Sequence, residues 1–539
     1  MYINKKINTE NFFVFLIFII FISIGLSSFK DFGVSIDEEI HLSNGEQYYN
    51  YFLGLFNNDP NFISANELKI KYSHRHGQDP VVFDFSVIFL ADLLNFNEKQ
   101  KIYHLKHFMN YSIFLIGSFY FFLILRKRFD NFFLVIVGLL FLILSPRIFS
   151  NSFYNNKDLI FLSVSCIFFY YSINFFNKPG IKTALIFAII TSLVFDIRIF
   201  SIIYIFVFYL MFFLSYLDKD QFLKSKLKFF PIIFFVTILF IYILWPYLWI
   251  DPVNNLINYF VTTKEVTPSM QNLYFGEYIY SKSLPWHYEI VWILFTSPLL
   301  ITIFFIIGYL KMIKTFSLNL LHSDEKNHKF WIDHKQFIDF YFFSALTLSF
   351  FIKLKFGVSY NGWRQIYYLY PIIIYFSLCG VEFLIKKLNK KTYHRVIAFF
   401  FIIELAFLSF WNYKNHPNQF VFFHPIYKTF TFEKFDLDYW GVSHKQVLEK
   451  ILEITDEETI NIIAISYTNL NDSLRVLQKN QQKKFKIVDS INKADFVIDN
   501  YMRKWSYTPG EENLKENFKV VYNLIVDGNK INTVYKRNK

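Results

Sequence analysis

Long apolar stretches separated by short polar breaks fill the chain up to residue 411, and beyond that point the pattern changes. Eleven such stretches lie near 12–29, 108–125, 131–146, 158–176, 182–196, 199–217, 229–249, 289–310, 337–352, 366–385 and 396–411. A helix needs roughly 20 apolar residues to cross about 30 Å of hydrocarbon, so each reads as a membrane span, the third, fifth and ninth being the shortest. Lys5 and Lys6 precede the first stretch as in a signal peptide, but its apolar part is long and no small-residue cleavage site follows, so it reads as a helix. After 411 no run can span. Helical patterns over 445–454 and 472–479 alternate with strand-like pieces at 460–467, 485–488 and 496–498, and a hairpin over 520–535 turns at Asp527-Gly528. The fold class expected is an α-helical polytopic membrane protein with about eleven transmembrane helices over 1–411, followed by a small C-terminal α/β domain over 412–539.

Composition agrees. A soluble chain of 539 residues would hold three or four domains, but 54% apolar and 22% aromatic residues, with 73 Phe, are too many for ordinary cores and exclude disorder for most of the chain. The two cysteines, Cys166 and Cys379, lie inside apolar runs, which excludes a disulfide scaffold. The net charge of +12 is better explained by basic loops facing lipid headgroups than by nucleic acid. Those loops alternate: Arg126-Lys127-Arg128, then Lys178 and Lys182, then Lys224, Lys226 and Lys228, then Lys311 and Lys314, then Lys386, Lys387, Lys390 and Lys391. The positive-inside rule puts them in the cytoplasm, and an odd number of spans then puts the tail outside. The outer side also receives a first loop over 30–107, a long loop over 250–288, and short turns near 145–158, 196–198 and 353–365.

Ionisable residues at the outer ends of spans are costly and carry the candidate chemistry. Asp37, Glu38 and Glu39 follow the first span; carboxylates at a low-dielectric boundary suit a general base, and the bland alternative is a solvated acidic loop. Arg147, Lys157 and Asp158 precede the fourth span, where Asp158 could equally be a helix-start acid. Arg364, in Asn361-Gly362-Trp363-Arg364-Gln365, either snorkels to headgroups or grips a phosphate with its planar fork. Trp286 and Tyr288, in Leu284-Pro285-Trp286-His287-Tyr288, either contact substrate or belong to an interfacial belt. His74 and His76 have poor metal-ligand spacing, and no Walker loop, dinucleotide fingerprint or serine nucleophile elbow is present.

The acid pair after the first span, the Lys157-Asp158 loop before the fourth, the Pro285-Trp286-x-Tyr288 loop and the Arg364 turn together resemble the C-type glycosyltransferase (GT-C) fold. Within it the chain is similar to glycosyltransferase family 39, the protein O-mannosyltransferases and bacterial relatives that include aminoarabinose transferases. The resemblance implies an inverting transfer of a sugar from a polyprenyl-phosphate donor, at the outer face of a bacterial inner membrane, to an acceptor hydroxyl on protein, lipid or glycan. It implies Asp37 as base with Glu38 beside it, Asp158 as the second outer acid, and Arg364 on the lipid phosphate. Lys157, Arg198 and Arg147 would add positive charge at that phosphate. No cofactor or metal enters this scheme. Gln365 stands where relatives carry His, and the tail differs from the sugar-binding insert of the eukaryotic enzymes. A transporter or flippase is the rival reading, but it would place its acids near mid-membrane in matching halves. A purely structural membrane protein is the other, and it would need none of the outer charges.

Overall fold

The computed structural model describes residues 2–57, 79–217, 226–265, 270–321, 330–388, 390–466, 470–502, 514 and 516–538. His74, His76 and Lys224 lie outside these residues. Every expected span folds as helix: α1 (Tyr2–Ser28), α4 (Lys99–Arg128), α5 (Phe132–Leu144), α7 (Asp158–Asn177), α8 (Ile181–Ile197), α9 (Ile202–Leu217), α10 (Phe230–Leu244), α13 (Leu299–Leu321), α14 (His334–Phe356), α15 (Tyr370–Leu388) and α16 (Lys391–Lys414). Between them stand α2 (Glu38–Asn57), α3 (Val82–Leu93), α6 (Pro146–Tyr154), α11 (Pro252–Glu265) and α12 (Tyr288–Thr296).

Among the described residues, eight helices are long and apolar enough to cross a membrane, which makes this a multi-pass membrane protein. The expected count of eleven needs correcting in three places. The stretch 131–146 ends where Pro146 opens α6, and the two helices meet at 57°, a bent pair that raises the number of spans to nine if it counts as one. The segments 182–196 and 229–249 form helices of only 17 and 15 residues. The stretch 289–310 is also not one helix. It breaks at the extended Ser297 before Pro298, and Glu404 of α16 accepts from the free backbone N–H groups of Leu299 (2.5 Å) and Leu300 (3.1 Å) at the start of α13. The first outer loop is shorter than 30–107, because α4 begins at Lys99, and it contains α2 and α3.

Aromatic side chains interlock the bundle edge to face, as in Phe169 against Tyr204 (4.7 Å between centroids, 62°), which is where the excess of Phe goes. Helices α13 and α15 approach most closely at Gly308 and Gly380, where a Cβ on either would overlap the other helix's backbone.

The long loop expected over 250–288 carries α11 and a hairpin of β1 (Gln271–Tyr274) and β2 (Glu277–Tyr280). The tail holds α17 (His444–Ile454) and strands β3 (Ile460–Ala464), β4 (Phe485–Ile487), β5 (Phe496–Asp499), β6 (Phe518–Val526) and β7 (Asn529–Arg537), in the order β4-β3-β5-β7-β6. β3 runs parallel to β4 and β5; β7 is antiparallel to β5 and β6. Val447, Leu448 and Ile451 of α17 share a core with Ile460, Ile462, Phe496 and Ile498. The β6–β7 turn has positive φ at both Asp527 (48°) and Gly528 (85°), as a tight hairpin requires. The expected helix over 472–479 is two short turns, Leu470–Leu474 and Lys479–Gln482, because Gln478 and Gln481 cap the second one reciprocally.

The tail is stitched to the loops that join the helices. Ile36 N–H donates to the Trp440 carbonyl (3.0 Å), Gln100 Nε2 to the Val476 carbonyl (2.8 Å), and Leu273 N–H to Asp436 Oδ2 (2.9 Å). Arg475 pairs with Glu39.

Candidate functional site

Three helix starts and one returning tail segment converge. Asp37 precedes the first turn of α2, Asp158 is the first residue of α7, and Arg364 opens the 3-10 turn Arg364–Leu369 that leads into α15. Arg364 Nη1 lies 3.2 Å from Asp37 Oδ2 and 3.4 Å from Asp158 Oδ2. Arg198, at the end of α8, puts Nη2 2.7 Å from Asp158 Oδ1 and donates through Nη1 to the Gln365 carbonyl (3.1 Å). Asp158 is further fixed by Asn155, which donates Nδ2 to Oδ2 (3.1 Å) and accepts from the Asp158 N–H (2.9 Å). The Asp37 side chain is 36% exposed, whereas the Arg364 side chain is 9% exposed and Asp158 is buried. The cluster is a solvated carboxylate over a buried cation and a buried carboxylate.

The Arg364 guanidinium is sandwiched. Its Cζ lies 4.4 Å from the Trp440 ring centroid and 5.0 Å from that of Tyr360, and its buried Nε has no hydrogen-bond partner among the described residues. Stacking fixes the plane of the fork while leaving in-plane donors unused. Tyr439, next to Trp440, is also buried; burial pushes its hydroxyl up to about 12, against the pull of Arg364 and Arg147.

Glu38 turns away from this cluster. Fully buried, it accepts from Ser35 N–H (2.6 Å) and lies 3.1 Å from His107 Nε2, and its carbonyl accepts from Lys106 Nζ (2.9 Å). Lys106 also pairs with buried Asp84 at 2.7 Å, and Asp84 accepts from Asn156 Nδ2 (2.9 Å), so one buried network ties the Asp37 turn to the Asp158 turn. Burial raises the Asp84 carboxyl despite Lys106.

The other expected residues spread out. Lys157 pairs with Asp79 (2.5 Å), which also accepts from Tyr259 of α11 (3.0 Å); burial pushes Asp79 up, but Lys157 outweighs it and the carboxyl sits at about 2. Arg147 is buried over Trp292 (4.8 Å) and Phe423 (4.9 Å) and donates Nε to the Phe422 carbonyl (3.0 Å), leaving Nη2 without a partner among the described residues. Tyr288 is buried, accepting from Gly362 N–H (3.0 Å), and so supports the Arg364 turn from behind. Trp286 is 70% exposed, as an interfacial aromatic would be.

Sequence reasoning missed Trp440 and Tyr360 as the walls of Arg364, and the Lys106–Asp84 pair beneath. The one available signal was a Lys-His pair, Lys106-His107, at the start of an apolar run. Among the described residues no group of three or more His, Cys, Asp or Glu is arranged to hold a metal ion.

No protein-family model and no curated protein matches the chain. Solved structures of similar fold include two of one protein. The crystal structure of ArnT from Cupriavidus metallidurans in the apo state gives a TM-score of 0.45 at 9% identity, covering 96% of this chain and 97% of that one. The crystal structure of ArnT from Cupriavidus metallidurans bound to undecaprenyl phosphate gives 0.43 at 11% identity, with the same coverage.

Proposed function

We propose that this chain is a C-type membrane glycosyltransferase that moves a sugar from a polyprenyl-phosphate donor to an acceptor hydroxyl at the periplasmic face of a bacterial inner membrane. The observation that carries the reading is Arg364: a buried, stacked guanidinium, shared by two carboxylates through one nitrogen and with another nitrogen unused. A phosphate is the ligand that such a fork receives bidentately. Arg198 stands behind it at Asp158, and the basic loops at the far end of the helices support the orientation with the tail outside.

In the mechanism, the donor phosphate binds Arg364 and displaces its contact with Asp37. That leaves Asp37 Oδ2 free to take the acceptor's hydroxyl proton. The acceptor oxygen forms a bond to the anomeric carbon from the face opposite the phosphate, the carbon–oxygen bond to the phosphate breaks, and its electron pair leaves with polyprenyl phosphate. Configuration inverts. Arg364 stabilises the departing charge where water is scarce, and Asp158 holds Arg364 and Arg198 in register. Glu38 and Lys106 position the turn. Membrane lipids surround the spans, and the acceptor is a hydroxyl on protein, lipid or glycan.

The test is release of free polyprenyl phosphate, with sugar appearing on an acceptor, from radiolabelled hexosyl and pentosyl polyprenyl phosphates and purified protein in vesicles. No donor-dependent transfer by wild-type protein with any of these donors would sink the proposal.

A further inference from the structure

At the end of the bundle away from Asp37, four helix segments line a cavity of about 300 Å³. They are the last turn of α4, the second half of α13, the first turns of α14 with the residues before it, and the end of α15. It opens where α13 and α15 diverge beyond their glycine crossing, with Gly308 in its wall. Its lining mixes signs: Arg128, Lys311, Lys335 and Lys386 against Asp333, Asp339 and Glu382.

The groups are not equally committed. Arg128 is spent on Asp339 (2.7 Å) and Glu382 (3.2 Å), and Lys335 on Asp130 (2.5 Å). Lys386 touches Glu382 at 3.0 Å but is 71% exposed. Lys311 Nζ lies 5.3 Å from the Phe383 ring centroid and has no carboxylate within ion-pair distance among the described residues. One partly buried ammonium thus stands without an ion-pair partner among the described residues, at the edge of a cavity lined by charges of both signs. Beside it, Ile306, Leu310 and Ile313 expose an apolar strip on α13.

We propose that this cavity holds the headgroup of an ethanolamine-type phospholipid, a phosphodiester carrying a primary amine, drawn from the leaflet opposite the Asp37 cleft. Lys311 and Lys386 meet the phosphate, the amine donates toward Glu382 and Asp339, and the acyl chains lie along Ile306, Leu310 and Ile313. A cavity of this size is at the small end of ligand pockets, which begin at about 300 Å³. A headgroup with both charges fits a lining with both signs, and an anion alone would face three carboxylates. The site is independent of the transfer reaction.

The test uses native mass spectrometry of the full chain in detergent with dioleoyl lipids that differ only in headgroup: ethanolamine, choline or glycerol. Wild-type protein should retain the ethanolamine lipid at about tenfold lower concentration than the other two, the ratio that one lost charge-assisted hydrogen bond produces. Lys311→Ala and the cavity-filling Thr315→Trp should each remove that preference. Thr315→Trp changes no charge, so its failure to bind cannot be a general loss of attraction; both variants must elute as folded protein on gel filtration to count. Equal retention of the three lipids by the wild type overturns the proposal, as does an unchanged preference in both variants. Free phosphoethanolamine that displaces the lipid at equal concentration overturns the lipid assignment in favour of a soluble ligand.

Discussion

Two arginines, each placed between two carboxylates, sit at opposite ends of the same bundle, and they differ in how completely they are used. Arg128 donates Nε and Nη2 to Asp339 (2.7 and 3.0 Å) and puts Nη1 3.2 Å from Glu382, while the Tyr375 hydroxyl also donates to Asp339. Every nitrogen of that guanidinium has a carboxylate partner. Arg364 reaches both its carboxylates through Nη1 alone, at 3.2 and 3.4 Å, and its Nε has no partner among the described residues. A filled set of hydrogen bonds holds helices together; an unfilled one in a buried place is costly unless something else arrives. The contrast, rather than the presence of charge, is what underlies the role proposed for the Arg364 cluster.

The sharpest way to break that comparison is at Asp37. Asp37→Asn keeps the volume and removes the base, so transfer should fall by about 10²–10⁴ while protein yield and donor binding stay near wild type. Glu38→Gln, whose carboxylate serves Ser35 and His107 instead of the cleft, should cost much less. Full activity in Asp37→Asn sinks the assignment, and collapse in Glu38→Gln beside an active Asp37→Asn moves the base by one residue.

At the other end, Arg128→Leu strands two carboxylates and should destabilise the protein by about 3–5 kcal/mol, read as a lower midpoint in thermal unfolding, while the surviving folded fraction still transfers sugar. If Arg128→Leu is stable but inactive, the distinction between the two arginines fails. Arg364→Lys is subtler. A lysine cannot present two in-plane donors, so KM for the lipid donor should rise about tenfold with Lys as with Ala; recovery by Lys would make Arg364 a point charge.

The smallest effect concerns the seam between tail and loops. Burial pushes Asp436 up to about 7 and Asp438 up to about 6, against an ordinary value of 3.8 for both. The folded seam therefore holds protons that the opened seam releases, and its stability falls as pH rises from about 4 to about 7. Hydrogen exchange of residues 435–443 should accelerate across that window beyond the intrinsic pH effect, and Asp436→Asn should flatten the trend.

Much of this was legible from sequence because charge at the end of an apolar run is conspicuous: Asp37, Asp158 and Arg364 were each visible as outer-end ions, and the structure brings them within 3.4 Å of one guanidinium nitrogen. What the pattern could not separate was Asp37 from Glu38, neighbours whose roles depend on which way each points at the start of α2. The break at Pro298 was hidden by continuous apolarity on both sides, which satisfies a span-length criterion without a continuous helix. Trp440 was unreadable for a different reason. Its indole donates to Asn151 across 289 residues of sequence, and no local pattern encodes a partner that far away.

That separation also sets an order of events. Asp37, Asp158 and Arg364 are all synthesised before the tryptophan that stacks on Arg364, and Arg475, which fastens the tail to Glu39, lies 436 residues beyond its partner. Chains lengthen at about 5–20 residues per second, so for several seconds a nascent molecule carries Asp37, Asp158 and Arg364 with one face of the guanidinium uncovered. A ribosome that stops short of the tail leaves behind a membrane protein whose Arg364 lacks its Trp440 wall. The cluster is completed last, by the C-terminal segment.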